Sequence, residues 1–325
     1  MAGVSVSAAA GAGFALIGRK PLIVLAWGMV IFLAGVLPGV GLFALVGPSM
    51  MDFFRQAAMH PQSPPDPSQL SGLGGLMLLN PLIQLIGIAF RAVLCAAVFR
   101  AVLTPGDSRF AYLRIGMQEV WLAVLFLAET ILLGLLMVAI AIPTGIVVVL
   151  AFVFLAHWAA ALFTVVTVGA VIGLFFWVLL RFALAGPMTF DEGEFRLFES
   201  WAVTRGHAAE LLGMVLLLFV FILIIEMVLM AVMGVSVFAV FGAAAFQRDQ
   251  VAAFFQQPPA QLIATFVPIA LGLGLFWSYL IAAAHAVLFA PFAAFYGMVR
   301  PSPDATPAPP PIVDLPSEPP VAAPA

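Results

Sequence analysis

Apolar residues in this chain fall in long unbroken blocks rather than at the alternating spacing of a half-buried strand or the three-to-four spacing of a surface helix. Between Val120 and Leu180, 61 residues pass with only Glu129 and His157 able to ionise, roughly three times the ~20 apolar residues that cross a bilayer as one helix. Similar blocks run from Pro21 to Met51, from Leu211 to Gln247 and from Val251 to Val299. The pattern predicts an all-α polytopic membrane domain over residues 19–300, with six transmembrane helices near 21–46, 77–103, 119–142, 160–186, 209–233 and 264–298.

The charges orient these spans. Arg19, Lys20, Arg100, Arg109, Arg114, Arg181, Arg196, Arg205 and Arg300 then fall on one side, and Arg55 and Arg248 on the other. The crowded side is expected to be cytoplasmic, which places both termini there. Three spans within 120–180 would move Arg196 and Arg205 to the far side, so two long helices are expected, with the surplus around Pro143–Trp158 at the outer interface. Residues 1–18 carry no early positive charge and do not match a cleavable signal; a short cytoplasmic interfacial helix is expected over 4–18. Met50–Gly75, with Pro61, Pro64, Pro65 and Pro67 followed by Ser71-Gly72 and Gly74-Gly75, reads as a mobile outer loop. Residues 301–325 hold ten prolines and three acids and read as a disordered cytoplasmic tail.

Composition agrees with a lipid setting and narrows the chemistry. The chain is 64% hydrophobic and 8% charged, with a mean hydropathy of +1.19, whereas a soluble surface takes about 25% charged residues. One lysine, Lys20, stands against eleven arginines amid abundant Ala, Gly and Val, a bias expected of a GC-rich bacterial genome and hence of a bacterial inner membrane. Cys95, the single cysteine, excludes an intrachain disulfide and reads as a small packing residue. A net charge of −3 points away from nucleic acid. Membrane lipids, and other membrane proteins or further copies of the chain, are the expected partners, and no cofactor is implied.

The even-numbered spans end alike, with RAVLTP at 100–105, RFALAGP at 181–187 and HAVLFAP at 285–291. Each proline is expected to stop its span while the preceding Arg or His reaches toward lipid headgroups. A Gly or Pro followed by further apolar residues comes after each odd span, so the six helices are expected to form three hairpins in the same orientation. Before the fifth span, Phe195, Phe198, Trp201 and Ala202 share a face opposite Glu194, Arg196, Glu199 and Ser200, the pattern of a helix lying flat on the membrane. Ser200, Trp201, Thr204, Arg205 and Gly206 form the core of the segment ESWAVTRGHAAELLGMVLL. This interfacial motif resembles one that introduces the fifth helix in uncharacterised bacterial six-helix inner-membrane families and in the membrane domain of glycerophosphodiester phosphodiesterases. The resemblance extends loosely over 14–300 and implies the architecture alone, because the catalytic domain of those phosphodiesterases is a separate soluble unit.

Ionisable residues inside a bilayer cost several kcal/mol and need a reason. Arg91 and Glu129 both sit ~15 Å deep, at about 1.5 Å per residue, where an ion pair is open to them; Glu226 lies farther out and His285 in the cytoplasmic half. Asn80 and Gln84, followed by Gly87 and Arg91, form the one polar stripe at helical spacing. Two readings stay open: a polar path lined by Asn80, Gln84, Arg91 and Glu129, or buried pairs that hold helices together. Trp27, Trp121, Trp158, Trp177 and Trp277 are expected to anchor at the interface or to pack. Ser236 and His285 fall at different depths and do not suggest an intramembrane protease. The acidic run Asp191, Glu192 and Glu194, beside Arg196, reads as a solvated helix start rather than a magnesium site. No nucleotide, zinc or dinucleotide motif occurs. The sequence therefore points first to a non-enzymatic structural or accessory membrane component, and second to a transporter or lipid-handling protein built on the polar stripe.

Overall fold

The computed structural model describes residues 5–43, 47, 67–242 and 259–300. Within them the chain is helical, with no strand. Two short helices, α1 (Val6–Ala10) and α2 (Ala12–Arg19), lead into α3 (Pro21–Ile31), which continues through a π-helical stretch at Phe32–Val36. Long helices follow as α4 (Pro67–Leu103), α5 (Met117–Phe154) and α6 (His157–Phe182). Two short ones, α7 (Ala185–Glu192) and α8 (Glu199–Arg205), precede the long α9 (Ala208–Phe241) and α10 (Pro259–Val299).

Six helical stretches have the length and apolarity to cross a membrane: Pro21–Phe43, Asn80–Leu103, Arg109–Phe154, His157–Glu192, Ala208–Ser236 and Val267–Val299. Their mean hydropathies run from 1.8 to 3.2, and large side chains such as Leu135, Val153, Val165, Met227 and Met230 are exposed. In water such a surface would aggregate; in lipid it is the solvated face. Six such helices are compatible with an integral membrane protein.

Several helices differ from the pattern expected from sequence. Pro143 does not end α5: the helix runs on to Phe154, and Leu155-Ala156 joins it to α6. Apolar surroundings offer the backbone no competing water, so one missing amide does not end a helix there. For the same reason Pro291 lies inside α10 instead of stopping it. Helix α4 begins at Pro67, a position where proline's missing N–H costs nothing, and so takes in Ser71–Gly75, which the composition had assigned to the outer loop. The rest of that loop, Arg55, Arg248 and the tail 301–325 lie outside the described residues.

Packing is densest at one end of the bundle, here termed the basal end, where α1, α2 and α7 meet the adjoining ends of the long helices. Within residues 4–18, expected as an interfacial helix, Ala9, Ala10, Gly13 and Leu16 are buried. A Cβ on Gly13 would lie 2.4 Å from the Val287 Cα of α10, and one on Gly28 would lie 2.9 Å from the Tyr279 Cα. Glycine at both places lets α2 and α3 touch the α10 backbone, the usual device of helix association in lipid. Two apolar clusters result: one holds Trp27, Cys95, Phe99, Leu122, Leu125 and Phe289, the other Ala9, Leu184, Met188, Leu211, Met214 and Phe295.

Candidate functional site

The basal end is organised by a buried charge that composition and spacing did not foreshadow. Arg100, expected to reach for headgroups, is 5% exposed and Glu119 4%. Their Nη2 and Oε1 atoms lie 2.5 Å apart. The other nitrogen, Nη1, donates to the Tyr112 carbonyl at 2.6 Å, and Nη2 also donates to Gln118 Oε1 at 3.2 Å. Glu119 Oε2 accepts the Gly116 N–H at 2.8 Å, which caps α5. The guanidinium sits over the Phe190 ring at 5.3 Å, and Gln118 Nε2 donates to the Phe190 carbonyl at 3.0 Å. One ion pair thus ties α4, α5 and α7 together with nearly every polar atom satisfied, the condition under which a buried pair is tolerable.

The same group holds a strained turn. Phe110, Ala111 and Tyr112 have φ of 51°, 54° and 65°, a left-handed run that costs L-residues roughly 1–2 kcal/mol each. Trp27 Nε1 donates to the Ala111 carbonyl at 2.8 Å and the Tyr112 hydroxyl to the Pro105 carbonyl at 2.8 Å. Lys20 Nζ bonds the Tyr112 hydroxyl. Trp27, 1% exposed, is thus a buried strut and not an interface anchor. Asp107 bonds Arg114 across the loop, and this hydrogen bond holds its carboxyl below the usual range.

Nine residues along α4 from Arg100 and ten along α5 from Glu119 lie Arg91 and Glu129, about 14 Å farther into the bundle at 1.5 Å per residue. Both line a cavity of about 300 Å³ bounded by α4, α5, α6, α7, α9 and α10. Its walls are Phe99, Phe126, Leu133, Phe176, Leu179, Leu180, Phe182, Val215, Phe289 and Phe292, with Ala183, Gly186 and Pro187 toward the basal end. No ion pair joins Arg91 to Glu129 among the described residues. The guanidinium instead lies over the Phe126 and Phe289 rings, at 4.8 and 5.4 Å from their centroids, a cation–π arrangement that leaves its N–H fork free of Glu129. On the α6 side Phe176 and Leu179 are exposed, so the cavity is not closed there by the rest of the chain.

The rest of the expected polar path is dispersed. Asn80 and Gln84 are exposed on α4 and take no part in lining the cavity, because they share the face of Arg91 but stand about 17 and 11 Å farther along the helix at 1.5 Å per residue. Glu226 is exposed among Leu223, Ile224 and Met227 on α9. His285 Nδ1 donates to the Ile281 carbonyl at 2.8 Å, and its ring lies 5.8 Å from that of Phe289, one side chain away from Arg91. The Ser236 hydroxyl donates to the Val232 carbonyl at 2.7 Å. Comparison with protein families, with curated proteins and with solved structures finds no match.

In the interfacial motif Ser200 turns inward, away from Glu194 and Glu199, the residues it was expected to share a polar face with, which stay exposed. Ser200 and Thr204 are buried while Phe198 is 66% exposed. Ser200 Oγ donates to the Arg181 carbonyl at 2.8 Å and Thr204 Oγ1 to the same carbonyl at 3.5 Å. These bonds finish the end of α6, where carbonyls lack helical partners. Trp177 and Trp201 meet edge to face at 5.0 Å, and Arg181 lies over both rings at 5.2 and 5.6 Å. Arg181 therefore packs against tryptophan instead of reaching the headgroups. Arg205 and Gly206 are exposed and end α8. Asp191 and Glu192 close α7 rather than start a helix, and Gly193 follows in the left-handed conformation at φ 68°. Acids at a helix C-terminus oppose its dipole; Arg300 offsets this by bonding Asp191 at 2.9 Å, and Arg196 by pairing with Glu192 at 2.7 Å.

Proposed function

We propose that this chain is a non-enzymatic multi-pass protein of a bacterial inner membrane, arranged as three helical hairpins with both termini cytoplasmic, and that it holds part of an amphiphile in the cavity beside Arg91 and Glu129. The observation that carries this reading is the cavity itself. Two opposite charges share one aromatic-walled space, are not spent on each other, and face lipid on one side. Retaining such charges costs several kcal/mol unless something meets them. The cavity falls at the lower end of the size of ligand sites, about 300–1,000 Å³, and its walls suit the start of an acyl chain. The likeness of residues 199–217 to the membrane domains of glycerophosphodiester phosphodiesterases is in keeping with a lipid setting without an active site. Lipid handling, the second of the two readings from sequence, is thus favoured here.

Native mass spectrometry of the purified protein tests this. Parent protein is expected to retain bound phospholipid under mild detergent, and Ala183→Phe, which fills the cavity from α6, is expected to lose it without loss of folded protein. Equal retention by both would refute the reading. The structural or accessory role stands as the second reading, favoured by the tightly bonded basal end. It calls for a stable protein partner in pull-downs that is recovered equally with Ala183→Phe.

A further inference from the structure

We propose that the cavity selects a zwitterionic headgroup carrying a primary ammonium beside an anionic phosphate ester, the phosphatidylethanolamine class. This inference rests on the amphiphile reading above and adds the identity of the head. Arg91 presents a planar fork that matches a phosphate bidentately. The faces of Phe126 and Phe289 hold that fork in place. Glu129 stands at the same depth on the neighbouring helix and lines the same space. An anion alone would meet Arg91 but face Glu129 across the cavity, and a cation alone would face Arg91. A single occupant bearing both charges satisfies both walls, and a primary ammonium does so with hydrogen bonds that a quaternary one lacks.

Size and depth fit the same guest. About 300 Å³ gives room for about ten water-sized groups, enough for a headgroup and too little for two acyl chains. The chains would lie beyond Phe176 and Leu179, whose exposure leaves that side to lipid. A head beside Arg91 would sit about 14 Å below the level of Arg100, far inside the apolar layer. Bulk lipid does not place a charged head there, so the two charged walls would draw it in.

The shared chemistry of ammonium and phosphate also occurs in soluble zwitterions, and the test separates the sources. Detergent-solubilised full-length protein is mixed with equal amounts of phosphatidylethanolamine, phosphatidylcholine and phosphatidylglycerol, and retained lipid is read by native mass spectrometry. The parent is expected to favour phosphatidylethanolamine about tenfold, the factor that one charge-assisted hydrogen bond of roughly 1.5 kcal/mol supplies. Glu129→Gln keeps the shape and is expected to bring the ethanolamine and choline lipids to within about twofold, while Arg91→Gln is expected to reduce all three. Equal retention of the three lipids by the parent, with Ala183→Phe still abolishing it, overturns the headgroup assignment and leaves the amphiphile reading intact. Unchanged selectivity in Glu129→Gln overturns it as well. Displacement of the lipid by soluble phosphoethanolamine at equal concentration overturns the lipid source, and no retained lipid of any kind sinks both readings.

Discussion

Removing Glu119 strands the Arg100 guanidinium in the basal core. Both side chains are about 5% exposed and their charged atoms are 2.5 Å apart, so Glu119→Ala leaves a buried cation whose remaining partners are the Tyr112 carbonyl and Gln118. Loss of one member of such a pair costs about 3–5 kcal/mol. Losing the cap on Gly116 adds up to about 2 kcal/mol, while the retained carbonyl contact holds the total near the lower end, about 4 kcal/mol. Charge is the cause, so Arg100→Met combined with Glu119→Leu should recover most of this loss. The assay is reversible unfolding in mixed micelles followed by tryptophan fluorescence, since Trp27 bonds the turn at Ala111 that Arg100 secures through Tyr112. A Glu119→Ala protein within 1 kcal/mol of the parent, or a double variant no better than the single one, would refute the reasoning.

Three further outcomes follow from the same geometry. Arg91→Ala and Glu129→Ala should show a weaker coupling in a double-mutant cycle than the Arg100 and Glu119 cycle, which should exceed about 2 kcal/mol, because the first pair shares a cavity without an ion pair; equal couplings would contradict the structure. Gly13→Leu should destabilise by more than about 3 kcal/mol, since its Cβ would meet the Val287 backbone at 2.4 Å and backbone gives way least; thermal melts in detergent measure this, and an unchanged midpoint argues against the docking of α2 on α10. Glu199 is held below its ordinary range first by its own backbone N–H in the first turn of α8 and then by Arg196. Its contribution is therefore complete above the unfolded value and lost as pH falls through the lower folded value, so the stability of Glu199→Gln should vary less with pH than the parent's on the acid side of 5, and identical profiles would refute this.

The sequence by itself determined the solvent and the class of structure. Long apolar blocks leave a chain no way to satisfy its backbone in lipid except as helices or a closed barrel, and the lengths of those blocks together with the placement of the Arg and Lys residues pointed to six spans. Both quantities are local, so no tertiary contact is needed to read them. Which way each helix faces was a different matter. In water an amphipathic stripe marks the inner face, but α4, α9 and their neighbours are apolar all round, so Asn80 and Gln84 could be read as lining a cavity that begins only farther along the same face of α4, at Arg91. Ser200 looked outward on a helical wheel and is buried because the Arg181 carbonyl needs its hydroxyl. Arg100 looked like one more positive-inside charge, and only the return of α5 beside α4 brings Glu119 to it from 19 residues away. That single pairing sets the register that carries Arg91 and Glu129 to one cavity, because two antiparallel helices fixed at one end keep equal depths equal along their length. The tertiary structure decided the site, since lipid removes the polarity contrast from which a sequence reveals a helix's buried face.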